Sequence, residues 1–249
     1  MTEMDDASLL RYSRQIMLPE IDVAGQLLLA EASVLVVGLG GLGSPVALYL
    51  AAAGVGTLQL VDGDVVDESN LQRQILHGAR DVGRPKSASA QDRIDALGAG
   101  TRIALLDGPL EGDALDAAVA GADVVVDGTD NVATRYALND ACLQHRRPFV
   151  SAAAIRFEAQ LSTFDPRRAD SPCYRCLWPD GEDADAACAE NGVIAPLVGI
   201  VGSLQALEVV KLICGVGEPL VGRLLTFDGR SGDFQSFRLA RRAGCAACS

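Results

Sequence analysis

Positive charge is scarce in this chain. Its 249 residues hold 21 Lys and Arg against 33 Asp and Glu, a formal charge of -12. That balance gives no long-range attraction to phosphate polymers or anionic membranes, so neither nucleic acid nor a membrane is an expected partner. A basic N-terminal segment followed by an apolar run is missing, so no secretory leader is read. Uninterrupted apolar runs of about 20 residues are absent as well. The most apolar stretch, 193 to 216, is broken by Pro196, Gln205, Glu208 and Lys211 and reads as a buried helix of a soluble protein. Only two histidines occur, His77 and His145, too isolated for a histidine metal site or a Ser/His/Asp triad, so structural roles are expected for both. No internal repeat or low-complexity linker divides the chain, and 49% hydrophobic residues suffice for one substantial core.

What is present alternates. Residues 5 to 31 read as a helical start, with Pro19 disfavouring simple continuation before a second short helix. SVLVV (33 to 37) is a strand, GLGGLG a turn and SPVALYLAAAG a helix. TLQLVD (57 to 62) is the second strand, and the polar loop DGDVVDESNLQRQ follows it. RPKSASAQDRIDAL reads as a helix, ADVVVDGTDN as a strand with a polar end, TRYALNDACLQHR as a helix and PFVSAAA as a strand. The expected fold is α/β and doubly wound, a mostly parallel sheet covered by helices. After Phe157, EAQLSTFDP suggests a strand turning away from the parallel sheet. Residues 180 to 190 read as a mobile acidic loop, and RLLTFDGRSGDFQSFRLAR as two antiparallel C-terminal strands. The chain is thus read as one unit, 1–249, with an N-terminal helical segment (1–31), an α/β core (32–156) and a C-terminal portion (157–249).

Gly38, Gly40 and Gly43 match GxGxxG in the strand-to-helix context, where missing Cβ atoms permit a tight turn and close approach of phosphate. Backbone N–H groups at the helix start suit anionic oxygens. Asp62, ending the second strand, could accept ribose hydroxyls. This points to an adenosine nucleotide without separating NAD from ATP. Asn70, Arg73 and Lys86, with Arg14 near the N-terminus, supply donors suited to a triphosphate and to charge developing on pyrophosphate. Asp130, at the end of ADVVVDGTD, offers a hard oxygen ligand for Mg²⁺. Its neighbour Asp127 is read as structural, and Asp64 and Asp67 as loop residues or outer contacts.

Seven cysteines, an odd number, fit reduced thiols and a cytoplasmic setting better than a disulfide framework. Two CxxC pairs, Cys173/Cys176 and Cys245/Cys248, can place four thiolates around one structural Zn²⁺, with redox thiols as the alternative. Cys142 and Cys214 fall in helical stretches expected to pack. Cys188, alone in the acidic loop, is either a bland loop cysteine or a participant in sulfur or acyl chemistry.

Together RYSRQIMLPE, GLGGLGSPVALYLAAAGVGTLQLVD, SNLQRQ, RPKS, GTDN, CYRC and ENGVIAPLVGIVGSLQALE resemble the bacterial E1-like adenylyltransferases that activate ubiquitin-like sulfur-carrier proteins, over roughly residues 8 to 248. The resemblance implies an E1-like, Rossmann-type fold, a homodimer, ATP and Mg²⁺ at the glycine loop, and docking of a small β-grasp carrier ending in Gly-Gly. It implies Asp62 at the ribose, Gly41 beside the phosphates, Asn70, Arg73 and Lys86 at the triphosphate, Asp130 near magnesium, and Arg14 reaching the other subunit's site. The catalytic work falls to Arg14, Arg73, Lys86 and Asp130.

The reaction implied is attack of the carrier's terminal carboxylate on the α-phosphorus, releasing pyrophosphate and leaving an acyl adenylate ready for thiocarboxylate formation. Molybdopterin biosynthesis is the first pathway suggested, with a thiamine or specialised sulfur-carrier pathway beside it. Longer relatives append a rhodanese-like domain, and this chain ends just after the last cysteines, so a separate sulfur donor is expected. Cys188 resembles a sulfur-transfer position used by some relatives. A carrier-binding scaffold without catalysis and an NAD-dependent oxidoreductase are the readings of other classes.

Overall fold

Valine-rich runs set the frame in the computed structural model, which describes residues 4–179 and 192–249. β1 (Ser33–Val37) is paired in parallel with β2 (Thr57–Val61) on one side and β4 (Val124–Asp127) on the other. β3 (Arg102–Leu105) adds outside β2, and β5 (Phe149–Ile155) outside β4. β6 (Glu158–Phe164), β7 (Arg223–Asp228) and β8 (Asp233–Arg238) then follow antiparallel, giving one eight-stranded sheet in the order β3-β2-β1-β4-β5-β6-β7-β8. β6 reverses direction without leaving the sheet: Arg156 takes φ 54 in the tight turn after β5, and Glu158 pairs with Ile155. The expected departure from the parallel sheet is therefore a change of direction only.

Side chains alternate across β1 and so build two cores. Val34 and Val36 face α4 (Gly43–Ala52), α5 (Lys86–Asp95) and the long α9 (Ala195–Cys214), with Leu50, Ile94 and Val209 among the buried partners. Leu35 and Val37 face α6 (Gly112–Ala120) and α7 (Val132–His145), with Val119, Leu138 and Phe149. Each such side chain, fully buried, contributes roughly 1.5–3 kcal/mol of transfer free energy. The N-terminal helices α1 (Asp6–Arg11), α2 (Ser13–Ile16) and α3 (Asp22–Glu31) are tied to this body by Gln26, which is fully buried, accepts from Gln15 Nε2 at 2.7 Å and donates to the Ala53 carbonyl at 2.9 Å.

Among the described residues α9 is the one helix long and apolar enough to cross a membrane by length and composition. Its buried face, however, carries polar groups wired into the sheet. Gln205 Nε2 donates to the Asp127 carbonyl at 2.7 Å, and Glu208 accepts from Thr163 Oγ1 at 2.8 Å and Leu220 N at 2.6 Å while pairing with Lys211. Such bonds mark a core helix. The structure adds two elements to those expected, β3 and α6. β3 is a short, partly exposed edge strand, too brief for alternation to show.

Candidate functional site

The sheet order reverses at β1, where β2 lies on one side and β4 on the other, and the crevice beyond the strands' carboxyl ends is where such sheets bind ligands. β1 runs into the glycine loop, and two of its glycines are geometrically required. Gly38 has φ 87, and a Cβ there would lie 2.8 Å from the Gly128 carbonyl; one on Gly43 would fall 1.8 Å from the Gly38 oxygen. The loop, the turn after β4 and the start of α4 are thus in direct contact. Gly40 and Gly41 line the cavity beside them, at the anion-favouring end of α4.

The loop is pinned from beneath through the Leu39 peptide. Its N–H donates to Asp62 Oδ2 at 2.7 Å, and its carbonyl lies 3.0 Å from His77 Nε2. His77 Nδ1 is 2.9 Å from Ser89 Oγ, and burial pushes the imidazole below its ordinary value, so the neutral ring donates to Leu39. The structural role expected for His77 is thereby given a specific content. His145 instead sits near the surface, 3.5 Å from Asp116. Asp62 also accepts from Asp64 N at 2.9 Å and remains part of the cavity wall.

The SNLQRQ segment is a tight helical turn. Asn70 Oδ1 accepts from Arg73 Nη2 at 2.8 Å, which aims the Arg73 side chain, and Arg73 reaches the cavity while Asn70 stays out of its lining. Lys86, the first residue of α5, is buried with Nζ 2.7 Å from Asp64 Oδ2 and 3.7 Å from Asp62 Oδ1. After β4, Asp127 is fully buried and anchors the turn. It accepts from Thr129 N at 2.9 Å, Thr129 Oγ1 at 2.7 Å and Ser151 Oγ at 2.8 Å, and it faces Arg135 Nε at 3.0 Å. Arg135 in turn donates to the Thr129 carbonyl at 2.6 Å. This clamp leaves the next carboxylate, Asp130, exposed at the cavity, in the same lining as Arg73 and Lys86.

The cavity has a volume of about 760 Å³ and gathers Gly38, Gly40, Gly41, Asp62, Arg73, Lys86 and Asp130. Gly43 packs beneath it, and Arg14 is exposed on α2, outside the lining. Gln74, which sequence reading passed over, also lines the cavity; its signal is the spacing of four from Asn70 within the helical turn. A second, more apolar cavity of about 450 Å³ shares Arg135, Ala153 and Ala154 with the first and continues over β5, β6 and β7 past Tyr136, Trp178 and Phe227.

The two CxxC pairs meet. Cys173 precedes α8 (Tyr174–Leu177) and Cys176 lies within it, while Cys245 and Cys248 come from the C-terminal turn. The Sγ separations are 3.8 Å for Cys173–Cys176, 3.7 Å for Cys173–Cys245 and 3.5 Å for Cys176–Cys248. A tetrahedral ion with bonds of about 2.3 Å needs sulfur edges of roughly 3.8 Å, so the four thiols fit a closed metal site. Burial pushes the Cys173 thiol up. At Cys245 burial opposes the backbone amides of Ala247 and Cys248 and the neighbouring thiols, which prevail and hold it down at about 6. Cys142 is buried on α7 and its thiol is pushed up by desolvation; Cys214 Sγ lies 3.5 Å from the Gly25 carbonyl. Cys188 and the acidic loop lie outside the described residues.

Known proteins are similar to this chain in sequence and in fold. A sequence model of the ThiF family matches residues 12–247. The sulfur carrier protein ThiS adenylyltransferase of Escherichia coli K12 is 48% identical over 245 residues, covering 98% of this chain and 97% of that protein. The molybdopterin-synthase adenylyltransferase of the same organism is 45% identical over 249 residues, covering 100% of this chain and 99% of that protein. Among solved structures, Escherichia coli MccB with ATP matches at a TM-score of 0.82 and 23% identity, over 96% of this chain and 74% of that one, a likeness of fold.

Proposed function

The chain belongs to the ThiF family and is an adenylyltransferase, and on that premise we propose that it activates the C-terminal carboxylate of a small ubiquitin-like sulfur-carrier protein with ATP. The observation that carries the reading is the shared wall of the two cavities. The glycine loop, Arg73, Lys86 and Asp130 form one chamber, and Arg135, Ala153 and Ala154 join it to an apolar groove along β5 to β7. A nucleotide in the first chamber and an extended Gly-Gly tail arriving through the second would meet at that wall.

Glycines 40 and 41 bring backbone amides to the phosphates, Asp62 holds the loop and faces the ribose, and Arg73 and Lys86 carry the charge that passes to pyrophosphate. Asn70 acts through Arg73 by holding its guanidinium. The carboxylate oxygen forms a bond to the α-phosphorus, the bond to the bridging oxygen breaks, and pyrophosphate leaves with the electron pair. An ionised carboxylate has no proton to give up, so no general base is needed, and the chain's contribution is alignment and charge. Asp130 is the residue suited to hold Mg²⁺, which would neutralise phosphate charge when bound. The four cysteines suit Zn²⁺ in a structural role, since a closed thiolate set leaves no position for substrate. Thiols kept for metal fit a reducing cytoplasm.

The chain acts as one unit, with 32–156 as the nucleotide half and 157–249 as the carrier-binding and zinc-bearing half. We also read it as a homodimer. Arg14 lies away from its own cavity among exposed Leu10, Met17 and Leu18, which supports delivery of its guanidinium to the partner's site. The molybdopterin-synthase carrier is the first substrate to try. The 48% identity to the ThiS adenylyltransferase favours a ThiS-type carrier as the second. A separate sulfur donor would convert the adenylate.

Incubation of the chain with ATP, Mg²⁺ and each carrier, followed by intact mass, should show one carrier gaining an adenylyl group and pyrophosphate exchange that depends on its Gly-Gly end. No exchange and no mass change with either carrier would leave a scaffold role. Stoichiometric NAD binding with substrate-dependent reduction would restore the oxidoreductase reading.

A further inference from the structure

Gln74 has an amide that the described protein does not use. Its residue is 5% exposed and lines the nucleotide cavity, yet Oε1 has no hydrogen-bond partner among the described residues. Of the other buried glutamines, Gln26 bonds to Gln15 and Ala53 through both amide atoms, and Gln205, whose Oε1 is also unpartnered among the described residues, donates through Nε2 to the Asp127 carbonyl; Gln74 differs in lining the cavity. The placement of Gln74 follows from its turn. Gln74 N donates to the Asn70 carbonyl and His77 N to the Gln74 carbonyl, so residues 74 and 77 share the inner face. His77 spends both ring nitrogens, on the Leu39 carbonyl and Ser89. Gln74 reaches the next part of the same loop: a Cβ built on Gly40 would stand 3.5 Å from Gln74 Nε2, in ordinary van der Waals contact.

A buried amide left unpaired is destabilising, and proteins keep such groups where a ligand or water completes them. Gln74 lines the cavity, so a group bound there can reach its amide. We propose that Gln74 is a nucleotide-contacting residue, its Nε2 donating to the phosphate oxygen seated over Gly40 and its Oε1 accepting from water that enters with the hydrated polyphosphate. The inference rests on the adenylyltransferase reading and adds to it a neutral donor beside the charged Arg73 and Lys86. A neutral amide can hold phosphate without retaining pyrophosphate by charge.

The test compares wild type with Gln74→Met, close in volume, and Gln74→Glu, which keeps an acceptor but replaces the donor with negative charge. ATP binding to the full chain is measured by calorimetry, and melting temperature with and without ATP. Gln74→Met should melt at or above wild type when nucleotide-free, because the orphaned polar group is gone. It should bind ATP about 10- to 100-fold more weakly, the range of a hydrogen bond to a charged group. Gln74→Glu should bind more weakly still. ATP affinity in Gln74→Met within twofold of wild type would overturn the contact. So would a nucleotide-free melting temperature well below wild type, since the amide would then be bonded inside the protein. Wild type failing to bind ATP would instead remove the adenylyltransferase reading on which the contact depends.

Discussion

Lys86 Nζ stands 2.7 Å from Asp64 Oδ2, a buried ammonium paired with a carboxylate that is itself in solvent. Lys86 opens α5, and the N-terminal end of a helix disfavours a cation, so the charge needs Asp64 and the more distant Asp62. A phosphate entering the cavity can take the ammonium over from Asp64 with little rearrangement, because the exposed carboxylate is resolvated at once. Replacing Lys86 with Ala should therefore lower ATP–pyrophosphate exchange by roughly 10²- to 10³-fold, the range for loss of one preorganised donor. The circular dichroism spectrum should be unchanged. Exchange at the wild-type rate would take Lys86 out of the chemistry.

Asp130 is a carboxylate presented by neighbours that are themselves held. Asp127, Thr129 and Arg135 fix the turn, and no hydrogen bond or ion pair to the Asp130 side chain is found among the described residues. Its removal leaves nothing unpaired, so Asp130→Ala should fold with an unaltered melting temperature yet nearly abolish exchange. A titration with Mg²⁺ at fixed ATP checks the assignment. Asp130→Asn should need more Mg²⁺ for half-maximal rate, and an unshifted Mg²⁺ curve would place the cation elsewhere.

Much of this was legible in the sequence because single residues carry it. GLGGLG between SVLVV and an apolar helix fixes the cradle, and Gly38 and Gly43 are where a Cβ would collide. Two CxxC pairs suggest a four-thiol site, and the fold brings the four sulfurs together. What sequence does not show is which polar residues end up bonded to protein and which face the ligand. Asn70 and Arg73 look equivalent in SNLQRQ, but three-dimensional spacing turns Asn70 onto Arg73 and leaves only the arginine at the cavity. Gln74 and His77 gain meaning only from the loop that packs on them. β3 is too short for alternation to show, whereas α6 does carry an apolar face at helical spacing, Leu115, Ala118 and Val119.

The four-cysteine site ties the C-terminal turn to α8 through sulfurs that lie within 4.8 Å of one another. Metal release would free both ends of that clamp and leave buried thiols beside one another. Cys245→Ser should reduce zinc found by elemental analysis of protein purified reduced and without chelator, and should lower the melting temperature by several degrees. ATP affinity should fall less than it does for Lys86→Ala, since the cysteines are not in the nucleotide cavity lining. A wild-type preparation that is folded and free of zinc would overturn the assignment.

Glu158, Asp228 and Asp233 stand directly opposite one another across β6, β7 and β8, and all three line the apolar groove. Directly opposed residues on antiparallel strands point to the same face, and like charges so placed repel by roughly 0.2–1 kcal/mol per pair. Among the described residues none of the three has a salt bridge; Arg230, two residues from Asp228, is turned over the Phe157 ring at 5.6 Å. Asp228, in the middle, bears repulsion from both sides. Its Oδ1 accepts from Arg230 N at 2.8 Å, a bond that asparagine can keep. Asp228→Asn should therefore raise the melting temperature of the free protein by about 1–4 °C at low salt. The gain should shrink towards nothing at 1 M salt, where the screening length falls to about 3 Å. A destabilised variant, or a gain that ignores salt, would show that this row is not held together against its own charge.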